Sequence, residues 1–110
     1  MIKDTLSKIE TIISRVGELD SPDKAELLAL LGKMKAEITA LPVSRTEEAS
    51  SLANFAQAAA HEASRKNGDE RLRELSIEAL SRSVKSFEAS HPALVDTVND
   101  ICLMLSRIGI

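Results

Sequence analysis

The residues of this 110-residue chain that could do chemistry are few: one cysteine, two histidines and a scatter of carboxylates. Glu88-Ala89-Ser90-His91 has Glu-x-x-His spacing. Residues three apart share a helical face, so such a pair can reach one metal ion, as in helical bundles that hold two irons. Those sites need a second copy of the motif and two further carboxylates, and this chain has one copy. His91 also precedes Pro92, which pushes it out of helical geometry. Glu88 and His91 are therefore weak metal candidates. The competing reading has His91 capping the helix that follows, in a corner between helices, and no metal or cofactor is expected.

The other candidates reduce in the same way. His61-Glu62 resembles a fragment of a zinc-protease motif, but the position of the second histidine is Arg65. Cys102 lies on the flank of an apolar seam with nothing cationic in the local sequence to activate it, so it reads as a small buried hydrophobe. Glu70, Glu74 and Glu78 form a carboxylate row at i, i+4 spacing, which alone mildly destabilises a helix. Arg71, Arg73 and Arg82 lie close enough in sequence to neutralise it. No nucleophile, base and orienting group occur together, so the chain is not expected to be an enzyme.

The elements that must position these residues are helices. Ile2, Leu6, Ile9, Ile13 and Val16 repeat at steps of four and three. Leu27, Leu31, Met34, Ile38 and Leu41 do so again, and so do Leu94, Val98, Ile101, Leu105 and Ile108. That spacing lines one face of an α-helix. The expected elements are helices over about 3–17, 22–41, 45–66, 70–89 and 92–108. Gly17 and Gly109 are stop signals, and Ser21-Pro22-Asp23 is a start signal. Ser44-Arg45-Thr46-Glu47 matches a capping box, and Asn67-Gly68-Asp69 reads as a stop followed by a cap. Asp69/Arg73 and Glu78/Arg82 stand four apart as outer-face ion pairs. The first two helices should form an antiparallel hairpin, each about 25–30 Å long. The third is rich in alanine, with Leu52 and Phe55 as its only large apolar residues, so little is expected to hold it down. The fourth should turn Leu72, Ile77, Leu80, Val84 and Phe87 inward. The predicted fold is all-α, a single-domain antiparallel bundle of four to five helices.

Bulk properties narrow the function classes. The hydrophobic content is 44% and the charged content 28%, as in a soluble globular domain. The net charge of −3, with basic and acidic residues mixed, gives no electrostatic footprint for nucleic acid. Two Phe and no Trp or Tyr leave no stacking platform for single strands. No apolar run is long enough to span a membrane, and the N-terminus does not read as a signal peptide. A single cysteine fits a reducing, cytoplasmic setting.

One surplus asks for a partner, and it is apolar. Leu103 and Met104 point away from the seam of the last helix, while Ile12, Leu28 and Leu30 widen the stripes of the first two. Either the chain covers these residues itself, or Ile12, Leu28, Leu103 and Met104 contact another protein or another copy.

The C-terminal part carries a resemblance. Phe87-Glu88-Ala89-Ser90-His91-Pro92-Ala93-Leu94, followed by Val98, Ile101, Leu105 and the ending Gly109-Ile110, resembles a family of short bacterial proteins catalogued as domain of unknown function 4404. The likeness extends over about Leu72 to Ile110, and is looser, that of a helical hairpin, over the first 41 residues. The third helix departs from the family pattern, whose members cross this region with a shorter connection. The resemblance implies a bacterial, helical, cytoplasmic protein with His91-Pro92 in a shared corner, and it carries over no catalytic residue. The expected function is a structural or protein-interaction module that could self-associate as a homodimer. The alternative is a metal-binding or enzymatic bundle using Glu88, His91 and Cys102.

Overall fold

The structure, a computed structural model, describes residues 2–15, 21–65 and 68–108. Its elements are α1 (Ile2–Ser14), α2 (Ser21–Thr39), α3 (Thr46–Ser64), α4 (Glu70–Ser83) and α5 (Pro92–Ile108). Short 3-10 turns at Val43–Arg45 and Lys85–Phe87 precede α3 and follow α4. No strand occurs among the described residues, and the fold is the all-α bundle expected. The stop signals Gly17 and Gly109, with Asn67 and Val16, lie outside the described residues.

The five helices form a ring. α1 packs on α2 and α3, α5 on α2 and α4, and α3 on α4, while α3 also touches α5 across the middle. Lys24 Nζ donates to the Ser14 carbonyl at 3.2 Å and Lys35 Nζ lies 3.4 Å from Glu10 Oε1, which fixes α1 and α2 as antiparallel. At one end Ile2, Ile38 and Ala49 border a common groove, so the N-termini of α1 and α3 lie together and those helices run parallel. The ring is enclosed in 39 × 25 × 23 Å around one contiguous apolar core. Within it, Thr97 is the buried polar residue among those described, and its Oγ1 donates to the Ala93 carbonyl at 3.0 Å.

The third helix corrects its expectation. α3 buries Ala49, Leu52, Ala53, Ala56, Ala59, Ala60 and Ala63. Small side chains let α1, α4 and α5 approach it closely, so alanine here is a packing surface and not an absence of one. Phe55, expected to be an anchor, is partly exposed, as is Leu72 on α4. Both lie off the stripe that the ring covers.

Local signals were met unevenly. Asp69 caps α4 as expected, its Oδ1 accepting from the Arg71 and Leu72 amides at 2.8 and 3.2 Å. Arg73 therefore turns to Glu70, at 3.6 Å, whereas Arg82 and Glu78 pair at 3.0 Å as the spacing predicts. The capping box at Ser44 does not form. A 3-10 turn occupies Val43–Arg45, and α3 opens at Thr46 with no side-chain cap from Arg45. α4 ends at Ser83, six residues before the expected boundary at 89, because the chain tightens into the turn at Lys85–Phe87 that leads into the corner. α1 has 13 residues, about 20 Å, and falls short of the length expected.

Candidate functional site

The first candidate, the corner before α5, is built for rigidity. Phe87 is buried and its ring meets the His91 ring edge-on, with centroids 5.9 Å apart. The His91 amide donates to the Phe87 carbonyl at 2.8 Å, and its ring Nδ1 lies 2.9 Å from Ser90 Oγ. Glu88 is exposed, and α4 has already ended, so Glu88 and His91 share no helical face. Among the described residues no group of three or more His, Cys, Asp or Glu is placed to hold a metal ion.

Sequence reasoning missed the residue that ties this corner down. The Arg45 guanidinium stacks over the Phe87 ring at 4.2 Å from its centroid. Its Nη1 donates to Ser90 Oγ at 3.1 Å, its Nη2 donates to the Ser86 carbonyl at 3.0 Å, and its Nε pairs with Glu48. With its fork engaged on all sides, the guanidinium acts as a clamp between the start of α3 and the start of α5.

The four residues expected at contacts separate. Met104 is 4% exposed, and its placement away from the seam is corrected. Cys102 Sγ lies 3.8 Å from the Ile77 carbonyl, which marks the α4 side of α5. Met104 is two residues on, about 160° around the axis, and so faces the flank on which α2 packs. A helix with neighbours on both flanks buries a wider arc than a single seam. Leu28 is partly buried against the core, and Ile12 is half-buried beside an open groove between α1 and α3. Leu103 alone stands out, at 62% exposed.

Leu103 borders a groove of about 720 Å³ between α4 and α5. Ile77 and Cys102 form its apolar floor, and Asn99 and Ser106 join Leu103 on the α5 side. The α4 side carries the carboxylate row, Glu70, Glu74 and Glu78. Each carboxylate has a partner on its own helix: Arg73 for Glu70, Arg71 for Glu74 at 3.5 Å and Arg82 for Glu78. This is the neutralisation that the sequence spacing implied. Burial pushes the Cys102 thiol up to about 11, so the floor of the groove stays uncharged at neutral pH. The groove offers no convergent set of polar groups to fix a small substrate. It offers an apolar strip edged by exposed carboxylates whose ion pairs lie open to water.

The model of the family described as domain of unknown function DUF4404 matches residues 31–110, most of the chain and all of α3, α4 and α5. No curated protein and no solved structure matches.

Proposed function

We propose that this chain, which belongs to the family described as domain of unknown function DUF4404, is a small structural or protein-interaction module that docks on a protein partner through the α4–α5 face. The observation that carries the reading is Leu103. It is 62% exposed on a helix whose other large described apolar residues are buried or packed on the core, and it borders an apolar-floored groove. Removing one such side chain from water contributes about 1.5–3 kcal/mol, so solvent exposure of Leu103 leaves binding energy unused. The loss of Met104 and the partial burial of Leu28 and Ile12 leave self-association with one exposed residue of the four, and the reading narrows to a different protein as partner. It includes a bacterial, cytoplasmic setting and no catalytic role for the chain itself.

No helix of the described residues is long and apolar enough to cross a membrane. The test is a photo-crosslinking amino acid placed at position 103 and, as a control, at exposed position 33 on α2, in cells of the native host. A discrete adduct from position 103 and none from 33 supports the reading. No adduct from 103, or the same adducts from both, sinks it. An adduct of twice the chain's own mass would restore the homodimer.

A further inference from the structure

The chemistry of the α4–α5 groove also says what kind of segment it takes. We infer that the groove receives an amphipathic helix whose apolar stripe covers Ile77, Cys102 and Leu103 and whose adjoining edge carries Lys or Arg for the carboxylate row of α4. This rests on the docking reading above and specifies its partner.

Three features of the groove carry it. Its floor and its α5 side are uncharged, with Cys102 a protonated thiol and Asn99, Leu103 and Ser106 neutral. All the formal charge lining it belongs to α4, where three glutamates stand against one arginine, Arg73. A partner's apolar stripe thus has one edge that meets acid and one that meets neutral polar groups. The glutamates follow one another at about 6 Å along the helix, the repeat of successive turns on a partner helix laid alongside.

The existing ion pairs do not close the row to such a partner. The side chains of Glu70, Glu74 and Glu78 are 78%, 55% and 52% exposed. Arg71 and Arg82, which hold two of them, are 71% and 72% exposed. Ion pairs this open to water contribute little, so exchanging an intrahelical arginine for a partner's cation costs little. A second copy of this chain fits less well. Two acidic rows would be brought to one interface, and each of its helices already commits an apolar stripe to the bundle.

The experiment uses the full chain and two synthetic helical peptides with the same leucine stripe, one with lysine at every polar position and one with glutamate. The Leu/Lys peptide is expected to bind about tenfold tighter or more, and its binding should weaken as salt is raised. Amide shifts in the NMR spectrum should centre on Ile77, Asn99, Leu103 and Ser106. The double variant Glu74→Gln/Glu78→Gln should narrow the gap between the peptides, while Leu103→Ala should weaken both. Equal affinities, no binding of either peptide, or shifts centred on another groove would overturn the assignment. The two readings fail separately. If the crosslinked adduct from position 103 forms but the charge preference is absent, the basic helix is wrong and the docking face stands. If the adduct is missing as well, both are wrong.

Discussion

Arg45 is the residue whose importance is least visible in the chain. It stands in a segment that reads as a capping box, and its real partners Ser86 and Ser90 lie 41 and 45 residues away. Local pattern reading cannot reach across that distance; only the antiparallel return of α4 brings the groups together. A partly desolvated cation–π contact and charge-assisted hydrogen bonds are each worth roughly 1–2 kcal/mol. Arg45→Ala is therefore expected to lower stability by about 2 kcal/mol in urea unfolding, and Arg45→Lys to recover less than half, because an ammonium cannot reproduce the planar fork. A variant within about 0.5 kcal/mol of wild type would show that the clamp is not structural. Cys102 gives a second prediction at this scale. Its thiol rises from 9.0 to about 11 on burial, so the folded chain holds that proton longer than the unfolded one. The associated stability is intact below pH 9.0 and is lost progressively as pH rises towards 11. Wild type should lose more stability than Cys102→Ala between about pH 8 and pH 10. Equal losses would mean that the thiol is wetter than its burial indicates.

At the scale of elements, what was legible followed from periodicity. Where large aliphatic residues recur at steps of three and four, as in α1, α2 and α5, the helix and its buried seam were both readable, although Met104 beside the seam of α5 was misplaced. The acidic row and its arginines were readable too, since all lie on one helix within a few residues. The burial of α3 was not. Alanine carries little hydrophobic signal of its own, and its value here is the close approach that it permits, a property of the neighbours. Amide exchange in α3 is consequently expected to be as slow as in α2 and α5. Rapid exchange confined to α3 would return it to the periphery. Ala59→Leu should cost about 1–3 kcal/mol or more by overpacking, as Ala59 is fully buried. Gly32 is the opposite case. It is an exposed position inside α2, and a Cβ there would meet nothing within 4 Å. Gly32→Ala should raise the urea midpoint by the equivalent of roughly 0.5–1 kcal/mol through helix propensity alone. A destabilised variant would reveal a neighbour that the ring does not provide.

At the scale of the molecule, the family match and the fold do not share a boundary. The match begins at residue 31, inside α2, and leaves α1 and the first half of α2 outside it. The physical unit is larger. Leu6, Ile9 and Ile13 on α1 and Leu27 on α2 are buried in the same core as the alanines of α3. α1 also covers the ring between α2 and α3, and no other element takes that place. Full burial of three such aliphatic side chains contributes about 1.5–3 kcal/mol each, a sum comparable with the whole net stability of a domain, about 5–15 kcal/mol. A chain lacking residues 1–20 is therefore expected to lose cooperative thermal unfolding and to expose apolar surface that binds a hydrophobic dye, although it keeps every residue of the matched segment. The α4–α5 groove lies on the opposite side of the ring from α1, so the truncation deletes none of the groove's own lining residues. A truncated chain that melted cooperatively at an undiminished temperature would show that residues 21–110 hold a complete folding unit, and that α1 is an addition to a bundle already complete.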